Sequence, residues 1–290
     1  MNGSVTPALP IERDIGLAYV SSAVISLVIA VVSVLGLLWG SNGRYGVGSP
    51  LVQVSQGGDA TNLIIGLPVL LGAMWLAWRR SLVGLLLWPG ALFYVLYAYA
   101  LYLIAAPFDA LFFGYIALVT LSAWTLIYIL ASIDGENVRR RLAVAPARSV
   151  GGALVVIAVL AYVGLTGAAV SALGSPATEP AMRSQWVVDY ALGTPALLLG
   201  GVLLWRRATL GYVAVTGLLL ISGLNGLAFA ASAVFDSLLA GRSIEPAVVA
   251  VHLVISGVSF ALLAFLDRSA AARQPVGQPS TSSRHAKAVR

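Results

Sequence analysis

The stretch Pro68-Val-Leu-Leu-Gly-Ala-Met-Trp-Leu-Ala-Trp78-Arg79-Arg80-Ser-Leu-Val-Gly84 is echoed 127 residues later by Pro195-Ala-Leu-Leu-Leu-Gly-Gly-Val-Leu-Leu-Trp205-Arg206-Arg207-Ala-Thr-Leu-Gly211. Each copy is an apolar run closed by Trp-Arg-Arg and followed at once by another apolar run. Runs of about twenty such residues have the length that crosses a hydrocarbon core roughly 30 Å thick at 1.5 Å per residue. The chain therefore reads as an all-α, polytopic integral membrane protein.

Working outward from this pair, apolar runs between charged breaks predict spans over Gly16 to Gly40, Ala60 to Trp78, Leu82 to Ala106 and Ala110 to Ile133. A second set covers Val150 to Leu173, Val187 to Trp205, Ala208 to Phe235 and Pro246 to Leu266. The runs are continuously apolar and do not alternate, so they are helices, which satisfy their own backbone hydrogen bonds in lipid. The first run is longer than a signal-peptide core and lacks a basic leader and a small-residue cleavage site before it. It is expected to remain as a span.

Composition agrees with this placement. Of 290 residues, 59% are hydrophobic and only 10% charged, against roughly a quarter charged in soluble domains. The net charge of +6 comes from arginines beside apolar runs and in the tail, not from an aromatic-interleaved basic patch, so nucleic acid is not the expected partner. Lys287 is the one lysine, and the Ala, Gly, Val and Leu bias fits a GC-rich bacterial coding sequence. There is no cysteine, which removes disulfides, thiolate metal sites and cysteine nucleophiles.

The repeat extends beyond the quoted pair. Phe108-Asp109-Ala-Leu matches Phe235-Asp236-Ser-Leu at the same spacing of 127, and with small gaps Asp59 corresponds to Asp189 and Asp134 to Asp267. The expected organisation is a first four-helix repeat over 1–133, a basic linker over 134–149, a second four-helix repeat over 150–268 and a disordered tail over 269–290. With an even number of spans each, both copies have the same orientation, like parallel transporter repeats. Arg79, Arg80, Arg139, Arg140, Arg141, Arg148, Arg206 and Arg207 all fall on one side, which the positive-inside rule makes cytoplasmic, with both termini. The location implied is a cell membrane.

Trp78, Arg79, Arg80, Trp205, Arg206 and Arg207 read as inner interface anchors, the indoles at headgroup level and the guanidiniums on anionic inner-leaflet lipids. On the opposite side Asp59, Asp109, Asp189 and Asp236 form an outer acidic rim. Four carboxylates would suit a cation, but Asp59, Asp109 and Asp189 stand where helix N-termini are predicted, and capping is the stronger reading. The tyrosines Tyr94, Tyr97, Tyr99 and Tyr102 spread around more than half of span three, which argues against one binding stripe and for a share in the outer aromatic belt. Gly36-Leu-Leu-Trp-Gly40 has the spacing of a helix-packing motif.

The ligand-binding candidate is span eight with its neighbour. Glu245, His252, Ser256 and Ser259, separated by seven, four and three residues, share a helical face. His252 lies roughly 9 Å inside the span end at 1.5 Å per residue, and an ionisable group there points to function. Asn225, within Ser222-Gly-Leu-Asn-Gly226, is its expected partner, and neither has a polar counterpart in the first copy. The alternative is that His252 joins Asn225 or a serine as structural glue. No zinc helix, phosphate loop or nucleophile elbow occurs, so no catalytic, metal or cofactor site is expected. Two functions follow: a transporter or permeation protein for a small or largely apolar solute, or a membrane sensor, scaffold or assembly module with a protein partner or a second copy. An enzyme acting on lipid ranks behind both.

Overall fold

The computed structural model describes residues 9–40, 57–106, 108–143, 146–173, 180–239 and 243–271. The tail beyond 271, and with it most of the expected disordered segment, lies outside them. Among the described residues the chain is helical, and the one β-type pairing is an isolated bridge between Ile11 and Ile133. Eight helices are long and apolar enough to cross a membrane.

In the first half these are α1 (Gly16–Gly40), α2 (Gly57–Trp78), α3 (Leu82–Ala105) and α4 (Ala110–Ser132). A short helix, α5 (Gly135–Arg141), follows. In the second half come α6 (Ala147–Ser171) and then α7, which runs Pro180–Val188, Asp189–Gly193 and Thr194–Trp205 without a break. The last two are α8 (Thr209–Leu239) and α9 (Pro246–Ala271). The eight predicted spans are all present, with ends displaced: α2 starts before Ala60, α7 before Val187, and α8 runs past Phe235. Hydropathy marks the apolar middle of a helix, while polar residues such as Arg183 and Gln185 continue the backbone beyond it.

The basic linker contains the short helix α5. Asp134 caps it by accepting from Asn137 N at 2.9 Å, Glu136 lies in its first turn and Arg139 to Arg141 in its last, all complementary to the helix dipole. Val138 is fully buried, because α5 packs on the start of α8. The segment ahead of α1 straps the same end: Glu12 N donates to Ser132 O at 2.8 Å and Asp134 N to Pro10 O at 2.9 Å.

Two helices form the centre. In their most apolar stretches 72% of α3 and 67% of α8 are buried, and the two pack directly on each other. They cross at Gly90 and Gly217, where a Cβ on Gly217 would lie 2.8 Å from Gly90 Cα. Only glycine allows that approach. Beside the crossing, Trp88 is fully buried and its indole N–H donates to Ser22 Oγ at 3.0 Å.

The halves differ in closure. In the first, α1 packs along α4, so its four helices surround their interior; α6 and α9 do not pack along each other in this way. Correspondingly 11% of α6 and of α9 is buried, against 39% of α1 and 28% of α4.

Candidate functional site

The site is built on two π turns. In α7 the sequence Gly193-Thr194-Pro195 puts a residue without an N–H into a continuous helix, and the proline ring crowds the carbonyl four residues back. The helix accommodates this by widening into the π turn Asp189–Gly193, with Thr194 N bonded to Asp189 O. The same Gly-X-Pro order at Gly66-Leu67-Pro68 gives α2 its π turn, Asn62–Gly66, closed by Leu67 N on Asn62 O.

Each π turn opens with a polar side chain aimed at α3. Tyr97 O–H donates to Asp189 Oδ1 at 2.6 Å, while Gln185 Nε2 donates to Asp189 Oδ2 at 2.8 Å and also to the Tyr97 oxygen. Tyr94 O–H donates to Asn62 Oδ1 at 3.2 Å. Asp189 lies about 10 Å inside the apolar span of α7 that begins at Met182, at 1.5 Å per residue, and no cationic side chain pairs with it among the described residues. A carboxylate held in a span by hydrogen bonds alone marks a working position by default.

The first half encloses a second polar group. Asp59 is fully buried on α2, its carboxylate against Gly36 of α1, where a Cβ would collide with it. Ser33 and Tyr99 are hydrogen-bonded at 3.0 Å, and Tyr102 and Tyr115 stack beside Tyr99 with ring centres 5.1 to 5.9 Å apart. The assignment of span-three tyrosines to an outer aromatic belt is thereby corrected. Tyr94, Tyr97, Tyr99 and Tyr102 are all buried, because α3 is surrounded by protein and its tyrosines diverge toward different neighbours.

The aspartates of the expected rim occupy unlike surroundings. Asp109 caps α4, accepting from Leu111 N at 2.9 Å. Asp59 lies in the first described turn of α2 and is enclosed by protein, whereas Asp189 sits within a continuous helix. The Asp236 side chain lies outside the described residues. Among the described residues no three His, Asp or Glu side chains converge as metal ligands would.

The span-eight candidates come together only in part. Ser256 Oγ donates to Gly223 O at 2.8 Å, and Ser259 Oγ to Ser222 Oγ at 3.0 Å, stitching α9 to α8. His252 uses Nδ1 on Val248 O of its own helix at 2.8 Å, and its ring lies 5.5 Å from that of Phe229. Asn225 is half-buried in the same seam, and Glu245 is exposed ahead of α9. No hydrogen bond joins His252 to either among the described residues. An apolar groove opens beside them, lined by Leu227, Val234, Val249 and Leu253.

The Trp-Arg-Arg elements are helix ends of one design. Ser81 N bonds Leu76 O and Arg80 N bonds Ala77 O; at the other copy Ala208 N bonds Leu203 O and Arg207 N bonds Leu204 O. Both pairs are the bonding pattern of a Schellman cap, which needs a left-handed residue. Arg80 and Arg207 fill that role at φ 60° and 59°. Trp78, Trp205 and all four arginines are exposed, and Arg79 stacks over Trp75 at 5.5 Å.

Sequence reading missed the Tyr97, Gln185 and Asp189 group. Two signals for it were present: the i, i+4 spacing of Gln185 and Asp189, and the Gly-X-Pro that follows at the same place in both halves. The eight spans define the class, a multi-pass membrane protein. No protein-family model matches the chain, and no curated protein or solved structure is significantly similar to it.

Proposed function

We propose that the protein is a transporter or permeation protein for a small or largely apolar solute, built from two tandem four-helix repeats in parallel orientation. The observation that carries this reading is the pair of π turns, each presenting a polar residue to the central helix α3. Single π turns within helices occur frequently at functional sites, and both of these face the central helix between the two halves.

Several features repeat at the spacing of 127 residues: the π turns at 62 and 189, the left-handed arginines at 80 and 207, and the glycines at 90 and 217 that touch each other. Contact between like positions is what a two-fold axis produces, and here that axis would run along the membrane normal. At this spacing Asp189 stands opposite Asn62, which replaces the gapped match of Asp189 with Asp59. The closed first half and the splayed α6 and α9 of the second supply an asymmetry a transport cycle would use. A gap facing lipid suits an apolar solute, and His252, Asn225, Ser256 and Ser259 flank it along the α8–α9 seam.

The arginine-rich end, with both termini, is assigned to the cytoplasmic face of a bacterial cell membrane, its Trp-Arg-Arg caps on anionic lipid. A native chain without cysteine makes the orientation simple to test: Ser149→Cys should label only from inside and Ser243→Cys only from outside, and the reverse pattern overturns it. The transport reading is tested by flux in proteoliposomes across inorganic ions, small neutral solutes and apolar dyes. Flux should fall in Asn62→Ala, Asp189→Ala, Asn225→Ala and His252→Ala, and a screen with no response in the wild type overturns the proposal.

The openness of α6 and α9 also favours a second reading, an assembly or sensor module whose second half is completed by a membrane partner or a second copy. Crosslinking in native membranes from cysteines placed on α6 and α9 would then recover one stable partner. Recovery of lipid adducts alone would count against it.

A further inference from the structure

We propose that Asp189, with Tyr97 and Gln185, is a reversible proton-binding site. As the coupling site of transport it rests on the reading above; as a proton site it does not, and the two are measured separately.

The argument starts from what the triad can satisfy. With Asp189 ionised, both carboxylate oxygens accept, one from Tyr97 O–H at 2.6 Å and the other from Gln185 Nε2 at 2.8 Å. When a proton from the aqueous phase adds to Oδ2, that oxygen becomes a donor, and rotation of the Gln185 amide turns its Oε1 toward the new O–H. Tyr97 keeps donating to Oδ1. Glutamine carries both donor and acceptor on one rotatable group, so both Asp189 oxygens stay hydrogen-bonded in either protonation state, the rotation giving up only the Gln185 bond to the Tyr97 oxygen. No bond but the O–H is made or broken.

The surroundings leave the charge to these partners alone. Helix α3, which supplies Tyr97 and Tyr94, carries no charged residue between Leu82 and Ala105. From α6 the nearest polar groups are Tyr162 and Thr166, which meet Tyr190, and the one charged residue of α6, Arg148, is at its far end. On α7 itself Arg183 is exposed two turns toward the surface. With no ion pair to fix the charged form, hydrogen bonding and access to water decide occupancy. Asp189 is half-buried and lies six residues from the exposed Arg183, about 9 Å at 1.5 Å per residue, so a proton from the adjacent headgroup region has a short way in. The π turn that Asp189 begins is an irregularity of the kind found frequently at functional sites.

The first half supplies the control. Asn62, at the first position of the other π turn, has the shape of Asp189 without a titrating proton, and it too binds a tyrosine of α3. Asp189→Asn is therefore expected to fold, with unchanged thermal stability in detergent.

The test is a pH titration of the full-length protein in lipid nanodiscs, followed by infrared difference spectroscopy of the protonated carboxyl stretch. A titrating band is expected in the wild type and lost in Asp189→Asn. In Gln185→Leu and Tyr97→Phe each change removes a donor to the carboxylate, so the band should persist with its midpoint moved to higher pH by about one unit. A difference spectrum between wild type and Asp189→Asn with no carboxyl band overturns the site, as does a midpoint untouched by both partner variants. Proton flux into proteoliposomes is the separate readout: a titrating band without flux keeps the proton site and removes its coupling role.

Discussion

Gly90 and Gly217 meet backbone to backbone, a Cβ on Gly217 falling 2.8 Å from both Cα and N of Gly90. Each main chain fills the space the other side chain would need, so α3 and α8 cannot cross here with any larger residue without moving apart. Overpacking a fitted contact costs about 1–3 kcal/mol, and it outweighs the roughly 1 kcal/mol that Gly→Ala returns in helix propensity. Gly90→Ala and Gly217→Ala should each lower the thermal unfolding midpoint in detergent. Gly72→Ala and Gly152→Ala, where a Cβ meets nothing within 4 Å, should leave it unchanged or raise it.

Charge and conformation separate at Arg80 and Arg207. Both hold positive φ, near 60°, in which an L side chain is disfavoured by roughly 1–2 kcal/mol. Glycine relieves that cost and alanine does not. Arg80→Gly and Arg207→Gly are thus expected to be about 1 kcal/mol more stable than the corresponding alanine variants in thermal unfolding, although both lose the same charge. Equal stability of the two substitutions would mean that contacts of the arginine side chain, not the backbone, set the energy of this turn.

Placement in the membrane was legible in the sequence because it rests on run length and hydropathy alone, and all eight spans from Gly16 to Leu266 recur as helices. The interior was legible only as a hint. The tyrosines of span three looked scattered on a single helix, and scatter is what a helix buried on every side displays; only packing reveals that Tyr97 turns to Asp189 and Tyr99 to Ser33. Asp59 and Asp189 were read as caps since each stands near the start of an apolar run; α7 begins at Pro180 and carries Asp189 inside, while Asp59 stays in the first described turn of α2, enclosed against Gly36. The serines of span eight were read from a shared face, and that face does meet α8. A shared face gives direction and not partner, which is why His252 was expected on Asn225 and is instead bonded to Val248 O.

Gly36 and Asp59 are coupled across α1 and α2. The carboxylate of Asp59 occupies the volume a Cβ on Gly36 would take, and with Asp59 fully buried neither group has room to yield. Gly36→Ala should therefore destabilise by about 1–3 kcal/mol. In the Asp59→Ala background the same change should be nearly silent, since the shortened side chain vacates that space. A thermal-stability double-mutant cycle measures the coupling, and additive effects would show that the helices relax instead.

The α8–α9 seam gives the last prediction, on whether its serines bind solute or hold helices. Ser256 donates to Gly223 O and Ser259 to Ser222 Oγ, both within a contact so close that a Cβ on Gly226 would lie 2.8 Å from His252 O. Hydrogen bonds between membrane helices contribute about 0.6 kcal/mol on average, a small stabilisation that each serine loses on truncation. Ser256→Ala and Ser259→Ala should lower stability by about that amount. If the serines only hold the seam, flux in proteoliposomes stays at the wild-type level at temperatures below unfolding. Solute contact predicts the opposite order, with flux falling in Ser256→Ala while the unfolding midpoint barely moves. Ser222→Ala decides between them: as the partner of Ser259 on α8, it should reproduce the stability loss of Ser259→Ala without adding to it in the double variant, the signature of a shared bond.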